Sequence, residues 1–327
     1  MKILFVFTGG TIGSENIGGV ADVSSEISRS LPKAVGIDCD CEYAFPFNML
    51  SENATAESLS ELAEFMLSLD YEKYDGVIVT HGSDTLAYTA SLLSAALSWV
   101  KVPIVITAAN YVMTDQRSNA ANNLRAAYLF IKSFNVHQRC GVYAAWKNDG
   151  ESTQIHFGER LMEADENDRF RSFGGLPFGR IDGERYIEIS PCVSRFGNAA
   201  AFLRNRKIRL SQTVLPIHSY PGLDFSKIDT ADKDAVLLKL YHSATACTAG
   251  EHTSVKALIE ICRQTHTDLY MIPKKNGSYI YSTEKALKNS CVHYISGMSE
   301  YAAYTLLMLA YSLKDDERES LLKDVII

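Results

Sequence analysis

Two glycine-bearing turns, each placed directly after a short apolar run, constrain this chain more than any other feature. The first reads Thr8-Gly9-Gly10-Thr11-Ile12-Gly13 and follows the apolar run Ile3 to Phe7. The second reads Thr80-His81-Gly82-Ser83-Asp84-Thr85 and follows Gly76 to Val79. Each pattern predicts a buried parallel strand that opens into a turn. Because ligands of open α/β sheets bind outside the carboxyl ends of the strands, we expect both turns to point hydroxyls and a carboxylate into one crevice. That combination suits acyl-transfer chemistry.

Length and charge argue against several other classes of protein. The chain has 327 residues, which favours two domains over a single core. Its formal net charge of -7, without a run of basic residues, argues against nucleic acid as the main partner. No apolar stretch approaches the roughly 18 residues of a membrane-spanning helix. The first apolar run is too short for a signal peptide. We therefore expect a cytoplasmic protein that contacts neither nucleic acid nor a membrane.

Cysteine spacing gives no sign of a metal site. The seven cysteines are odd in number and scattered, and the nearest pair, Cys39 and Cys41, lacks a C-x-x-C spacing. We expect most of them to be inert buried thiols and predict no zinc site. The first turn also lacks the G-x-G-x-x-G spacing and the lysine of phosphate-binding loops. The sequence therefore predicts no metal and no cofactor.

Strand and helix patterns alternate along the chain. This alternation predicts an α/β fold: a larger N-terminal, doubly wound domain with a mainly parallel sheet, and a smaller C-terminal α/β domain. The predicted boundaries are 1–190 for the N-terminal catalytic domain, 191–212 for a solvated linker and 213–327 for the C-terminal domain. Residues 147–183 lack clear periodicity and are expected to form hairpins or loops over the crevice. The predicted helices begin near Thr55, Asp84, Asp115, Ser254 and Ser299, and the predicted strands after the second turn cover 102–107, 141–145, 214–217, 235–240 and 268–272.

The polar residues of the two turns have both chemical and structural interpretations. Thr11 lies among glycines that permit left-handed backbone angles, and its restricted rotamer suits a nucleophile, although its hydroxyl can equally satisfy a strand end. Ser83 and Asp84 can activate water or anchor an amino group. Alternatively, Ser83 is the N-cap of the following helix and Asp84 lies in its first turn. His81, a single histidine beside a glycine, is interpreted as structural.

Taken together, the two turns resemble the two signatures of bacterial-type L-asparaginases, T-G-G-T-I-[AG] and H-G-T-D-T-[ML]. Their separation of about seventy residues and the strand before each turn also match that family. The similarity continues through Tyr74–Gly76, Ala87–Ala90, Pro103–Thr107 and Arg117–Asn119, and becomes thin after about residue 140. The chain is most similar to the cytosolic type I branch, as a divergent member.

The resemblance implies a reaction and catalytic roles. Thr11 matches the primary nucleophile of the family, and Ser83 matches a second catalytic hydroxyl that is normally a threonine. Asp84 matches the aspartate that holds the α-amino group of the substrate. The implied reaction is hydrolysis of the asparagine side-chain amide to aspartate and ammonia through an acyl-enzyme, with backbone N–H groups stabilising the oxyanion.

The resemblance also implies a binding set and an assembly. Ser51 matches a serine that contacts the substrate carboxylate, and Glu52 and Gly82 belong to the same binding set as Ser83 and Asp84. Family members are usually tetramers built from tight dimers, so a homodimer or homotetramer is expected. A small-molecule amino acid is the expected partner.

Two family residues are missing. The family has a lysine five residues after a glycine, but alignment through Gly158 places Glu163 there. A carboxylate near Asp84 raises one pKa of the pair instead of activating Ser83. Arg160 and Lys147 are the two possible replacements nearby. The loop after the first turn, Glu15 to Arg29, also lacks the tyrosine that assists the first nucleophile in the family.

Three functions stay open at this point. The first is a divergent amidohydrolase that acts on asparagine or a bulkier amide. The second is a catalytically weak paralogue that binds an amino acid or a partner protein. The third is an ammonia-producing amidotransferase-type subunit, which ranks last because that subunit usually carries an additional N-terminal domain, whereas here the first motif begins at residue 8.

Overall fold

The chain divides into two compact units, Met1–Arg209 and Leu210–Ile327. The computed structural model describes residues 1–17, 20–23, 25–133, 141–190, 195–196, 200–274 and 292–326, and for residues 15–27 it describes the backbone alone. The predicted linker, 191–212, includes residues outside these ranges, so the predicted domain boundaries stay predictions.

The first unit is built on one large, mainly parallel sheet. Its strands are β1 (Lys2–Phe7), β2 (Ser14–Ile17), β3 (Val20–Val23), β4 (Asp40–Ala44), β5 (Gly76–Thr80), β6 (Ile104–Thr107), β7 (Val142–Trp146), β8 (Gln154–Phe157), β9 (Gly179–Asp182) and β10 (Arg185–Glu188). Its helices are α1 (Ser25–Ala34), α2 (Ala56–Ser68), α3 (Leu86–Ala96) and α4 (Ala120–Ser133). The large sheet has eight strands in the order β10-β9-β8-β7-β6-β5-β1-β4, while β2 and β3 form a separate hairpin.

Strand register brings the carboxyl ends of the central strands to one edge. Phe7 of β1 pairs with Thr80 of β5, and Thr80 pairs in turn with Thr107 of β6, all in parallel. The side chains of β5 and β6 are fully buried, as expected for apolar strands covered on both faces. The two turns of the sequence motifs therefore leave the sheet side by side.

In the first unit, helix starts follow the sequence signals in two of the three described helices that come after β4. Thr55 is the N-cap of α2, and a capping box joins it to Ser58. Helix α3 begins at Leu86 with Thr85 as its N-cap. The prediction that Asp115 caps a helix is wrong, because α4 begins five residues later, at Ala120. Asp115 instead accepts hydrogen bonds from the backbone N–H and the guanidinium of Arg117.

Residues 147–183 form hairpins, as predicted, and several of them extend the large sheet. Strands β8 and β9 add to β7 in antiparallel fashion. An outer ladder pairs Leu161 with Ser172, and the chain turns at residues 165–169. Because β8 pairs directly with β7 and β9 with β8, these two strands of the segment continue the sheet.

The second unit is a smaller α/β sheet, as the strand and helix patterns predict. Its elements are β11 (Val214–His218), β12 (Ala235–Lys239), α5 (Val255–Thr265), β13 (Asp268–Ile272), β14 (Val292–Tyr294), α6 (Glu300–Ala310) and α7 (Asp315–Leu322). The four strands are parallel in the order β11-β12-β13-β14. Ser254 and Ser299 cap α5 and α6 by accepting backbone N–H bonds.

Four of the seven cysteines lie in the ranges that the structure describes, so the prediction that most of them are buried stays a prediction. Of those in the described ranges, Cys262 is buried, Cys39 and Cys41 are half-buried, and Cys247 is exposed. Cys39 and Cys41 lie at the start of the edge strand β4, with their sulfurs 3.4 Å apart. The described side chains include no group of three metal-ligating residues. None of the described helices is long and apolar enough to cross a bilayer.

Candidate functional site

Three turns pack against one another at the carboxyl ends of β1 and β5. We call residues 8–13, 49–53 and 80–85 the turn cluster. Gly9 forms a parallel bridge with Met49, and the Gly10 N–H donates to the Met49 carbonyl at 3.2 Å. Gly9 and Gly10 have φ values of 107° and 78°. A Cβ on Gly9 would lie 2.7 Å from the Met49 nitrogen, so both the backbone angle and the space require glycine here.

The first and second motifs are in direct contact. A Cβ on Gly10 would lie 2.6 Å from the backbone nitrogen of Gly82. Thr11 and Ser83 each follow one of these two glycines in the chain, so the contact brings the two predicted hydroxyls into one neighbourhood. Both residues are half-buried, and no described side chain hydrogen-bonds either hydroxyl.

Ser51 connects the third turn to the second motif. It is 3% exposed, its hydroxyl donates to Oδ2 of Asp84 at 3.2 Å, and it lies 3.3 Å from the Asp84 backbone N–H. The hydroxyl of Thr85 donates to the Ser51 carbonyl at 3.1 Å. A Cβ on Gly82 would lie 2.5 Å from the Ser51 Cβ. Ser51 and Asp84 thus form one polar group, whose carboxylate is exposed to solvent.

The structural alternative for Ser83 and Asp84 is excluded by where α3 begins. The N-cap is Thr85, and the first turn of α3 contains no acidic residue. Ser83 and Asp84 precede the helix, so Ser83 is not its N-cap and Asp84 lies outside its first turn. Glu52, also in the predicted binding set, is exposed and lies beside Ser51 in a short 3-10 helix, Ser51–Asn53.

His81 has the structural role expected of it. Its side chain is 1% exposed, and its Nδ1 lies 2.8 Å from the Gly82 carbonyl, which can only accept, so Nδ1 carries the proton. Its Nε2 lies 3.1 Å from the Thr89 hydroxyl. Burial lowers the pKa of His81, and the hydrogen bond to Gly82 and the charge of Asp84 oppose this effect. A neutral ring with both nitrogens occupied positions the turn and is not free to act as a base.

The segment expected to replace the family lysine runs alongside α3. Gly158 packs so tightly there that a Cβ would lie 2.6 Å from the Ser94 hydroxyl. Glu163 follows on the outer ladder, is exposed, and forms no ion pair with a described residue. Lys147, one suggested replacement, lies after β7 in a different cleft. Arg160, the other, is next to Gly174. No positive side chain among the described residues bonds to Ser83.

Sequence reasoning missed two contributors to the turn cluster. Met49 supplies backbone groups that pair with Thr8 and Gly10, and Thr85 fixes the position of Ser51. Thr85 belongs to the second motif, so the sequence could have indicated its role. Met49 contributes only backbone atoms, so its residue type carries no signal.

Comparisons with known proteins identify the family and several relatives of this chain. The family model described as asparaginase, N-terminal, matches residues 2–191. A glutamyl-tRNA(Gln) amidotransferase subunit from Methanosphaera stadtmanae is 27% identical over 328 residues, covering 95% of this chain and 72% of the relative. The corresponding amidotransferase subunit from Pyrococcus furiosus is 26% identical, covering 97% of this chain and 74% of the relative. The solved thermostable L-asparaginase from Thermococcus kodakarensis superposes with a TM-score of 0.75 at 24% identity, covering 98% of this chain and 97% of that structure.

Proposed function

Because the chain belongs to the asparaginase family, we propose that it hydrolyses the side-chain amide of an α-amino acid, asparagine or a related amide, and releases ammonia. The observation that carries this proposal is the contact of Gly10 with Gly82, because Thr11 and Ser83 are the residues that directly follow these two glycines and Asp84, which follows Ser83, is exposed. Thr11 is the proposed nucleophile.

Recognition of the amino acid is proposed to rest on the Ser51–Asp84 pair. The carboxylate of Asp84 is proposed to accept from the α-ammonium group. The Ser51 hydroxyl, which donates to Asp84 at 3.2 Å, has a single proton, so we propose that it turns from Asp84 to the α-carboxylate when the amino acid binds. Glu52 and the backbone of Gly82 complete the proposed binding set.

The proposed reaction has two steps. In the first, the Thr11 hydroxyl oxygen bonds to the amide carbon, the C–N bond breaks, and the hydroxyl proton leaves with ammonia. In the second, water attacks the ester, restores the Thr11 hydroxyl and releases the acid. Ser83 and Asp84 are proposed to orient that water. The position occupied by lysine in the family is a glutamate here, so we expect the second hydroxyl to be weakly activated.

A second candidate function is supply of ammonia to a partner protein. It is favoured by the relatives named as subunits of glutamyl-tRNA(Gln) amidotransferases. The matches to these relatives cover 95% and 97% of this chain. The same Thr11 chemistry then serves a transfer reaction, with glutamine as the expected amide. Preference for glutamine, and a rate that rises only with a partner present, distinguish this function from plain hydrolysis.

The test is an ammonia-release assay over asparagine, glutamine and larger side-chain amides. We expect Thr11→Ala to abolish release while the melting temperature stays unchanged. Thr114→Ala, which removes an exposed threonine hydroxyl, is the matched control and retains activity. Unchanged ammonia release from Thr11→Ala overturns the nucleophile assignment. Thermal stabilisation by an amino acid, with no turnover of any amide, indicates a protein that binds only.

The proposed assembly is a homodimer or homotetramer acting in the cytoplasm. Light scattering on the intact chain measures its mass directly. A monomer with full amidase activity contradicts this part of the proposal, whereas the Thr11 assignment is unaffected by that result.

A further inference from the structure

A second cleft opens at the carboxyl ends of β6 and β7. It has a volume of about 560 Å³, within the range of small-molecule sites. Its walls come from the loop and helix start after β6 (residues 110–122), the turn after β7 (147–149) and the hairpin tip (167–169). We call it the asparagine cleft. Neither Thr11 nor any of residues 51 and 82–84 lines it, so the proposed amide chemistry leaves its purpose unexplained.

Asparagine side chains hold the walls of this cleft together. Asn119 and Asn110 each accept, through Oδ1, the backbone N–H of the other at 3.1 Å. Nδ2 of Asn119 also donates to the Lys147 carbonyl at 3.1 Å. One turn further along α4, Asn123 donates to the Ala108 carbonyl at 2.9 Å and accepts from the Lys147 N–H at 2.8 Å. These bonds join the ends of β6 and β7.

The hairpin tip is fixed in the same way. Asn148, 1% exposed, exchanges two hydrogen bonds of 3.1 Å with the backbone of Phe170. Trp146 donates its indole N–H to the Asp168 carbonyl at 3.0 Å. The Asp165 carboxylate accepts the N–H groups of Asn167 and Arg169. The tip is thus ordered before any ligand arrives, which lowers the entropic cost of binding.

Three cationic side chains line the cleft, in a chain whose net charge is -7. The guanidinium of Arg117 is held by Asp115 at 2.8 Å and stacks over the ring of Tyr111 at 4.2 Å. Lys147 and Arg169 also line the cleft, and neither side chain forms an ion pair with a described residue. Two cations are therefore available to an anionic group.

The cleft also presents hydrogen-bond acceptors. Asp149 and Asp168 are exposed, line the cleft and form no ion pair within the described ranges. Asp168 is held at φ 57°, in the left-handed region, by its place in the hairpin tip. A simple anion leaves these carboxylates repelled, and a neutral sugar leaves Lys147 and Arg169 unpaired.

We propose that the asparagine cleft binds a phosphate monoester of a sugar, as in ribose 5-phosphate or a mononucleotide. Lys147 and Arg169 take the phosphate, for which ammonium and guanidinium groups are suited. Asp149 and Asp168 accept from the sugar hydroxyls, as carboxylates do in ribose recognition. Only a ligand with both groups satisfies both sets of side chains.

Calorimetric titration of the intact protein tests the proposal. The probes are ribose 5-phosphate, ribose and inorganic phosphate at one ionic strength, with adenosine monophosphate to separate a sugar phosphate from a nucleotide. We expect ribose 5-phosphate or the nucleotide to bind and ribose to give no heat. Lys147→Ala and Arg169→Ala should each weaken binding about tenfold, the scale of one lost charge-assisted hydrogen bond. Arg185→Ala, which removes an exposed arginine of β10, is the matched control.

Asp168→Asn tests the sugar half of the proposal, since asparagine tolerates the same backbone angle. It should lower the preference for ribose 5-phosphate over inorganic phosphate. Thr11→Ala should bind as the parent does, so failure of the amide chemistry and failure of this site are separate results. Absence of heat with both phosphate esters, equal binding of inorganic phosphate, or full binding by the Lys147→Ala/Arg169→Ala double variant overturns the proposal.

Discussion

The turn cluster and the asparagine cleft lie along the same edge of the large sheet but are assembled by opposite means. In the turn cluster, glycines remove side chains so that three backbones touch, as where Gly10 meets Gly82. In the asparagine cleft, carboxamides add side-chain bonds that span the gap between backbones, as where Asn123 joins the ends of β6 and β7. We therefore expect added side-chain atoms to destabilise the turn cluster most, and lost side-chain hydrogen bonds to destabilise the asparagine cleft most.

The strongest test of this difference is a methyl group added to the turn cluster. Gly10→Ala places a Cβ 2.6 Å from the Gly82 nitrogen at a φ of 78°. We expect the free energy of unfolding to fall by about 4 kcal/mol or more, because backbone strain and overpacking add. Urea denaturation measures this loss. Gly150→Ala, at a φ of 72° with no atom within 4 Å, isolates the strain and should cost about 1–2 kcal/mol. Equal losses for the two variants contradict the packing argument.

The corresponding test in the asparagine cleft is the removal of a carboxamide. Asn123→Ala leaves the Ala108 carbonyl and the Lys147 N–H without their partner. We expect a loss of about 3 kcal/mol, since two buried polar groups go unsatisfied. The exposed neighbour Asn122 provides the control, and Asn122→Ala should stay within about 0.5 kcal/mol. A small effect of Asn123→Ala shows that water replaces the carboxamide and that the cleft wall is not rigid.

The two regions are also expected to differ in acid, because the turn cluster contains the buried His81, and a second buried histidine, His156, lies in β8, next to the hairpin whose tip lines the asparagine cleft. His156 is bonded through Nδ1 to Ser172 at 2.8 Å on the strand segment that follows the hairpin tip, and its Nε2 has no partner within the described structure. Burial, with a smaller contribution from the charge of Arg171, lowers the pKa of His156 to about 4. Below about pH 6.5, the His156 imidazole binds a proton in the unfolded chain but stays neutral in the folded chain. Stability is therefore lost as pH falls from about 6.5 towards 4.

Removal of that histidine should flatten the pH profile. Between pH 6.5 and 5 the His156→Asn variant is expected to lose about 1.5 kcal/mol less than the parent. Denaturant titrations at each pH measure the slope, which is independent of any constant cost of the substitution. His266→Asn, at an exposed histidine, should leave the slope unchanged. His81, whose pKa burial also lowers, keeps part of the acid sensitivity in both variants.

The smallest expected effect is a gain. Glu163→Lys restores the charge that the family has five residues after its glycine, and we expect the rate of ammonia release to rise about tenfold at most. Glu166→Lys makes the same charge change at another exposed position and should leave the rate unchanged. If neither variant alters the rate, the alignment through Gly158 is misplaced and another residue serves Ser83.

The two regions also differ in how far the sequence predicts them. The turn cluster is local: apolar runs predict β1 and β5, and the glycines of both motifs sit where the backbone demands them, so Thr11, Ser83 and their neighbours were predicted as a group. Their chemical roles stay predictions. The helix α3 was also predicted, although its cap proved to be Thr85 in place of Ser83.

The asparagine cleft was not predicted, for a physical reason. Asn119, Asn123 and Asn148 resemble ordinary surface residues in the sequence, and burial arises only when the partners that satisfy them come from other strands. The prediction that Asp115 caps a helix failed for a related reason. Aspartate is a residue type that often caps helices, but the carboxylate of Asp115 is bonded to Arg117, and α4 begins at Ala120. Local signals of this kind lose to tertiary hydrogen bonding.

The hydrogen bond from Trp146 to the Asp168 carbonyl allows tryptophan fluorescence to report on the hairpin tip. Of the two tryptophans in the chain, Trp146 is fully buried with its ring 4.6 Å from that of Phe170. Trp99 is half-buried beneath the guanidinium of Arg204, far from the tip in the sequence. In a Trp99→Phe background, the fluorescence emission reports on one indole alone. Opening of the tip hydrates that indole and shifts its emission to the red, so movement at the mouth of the asparagine cleft can be timed without an added label.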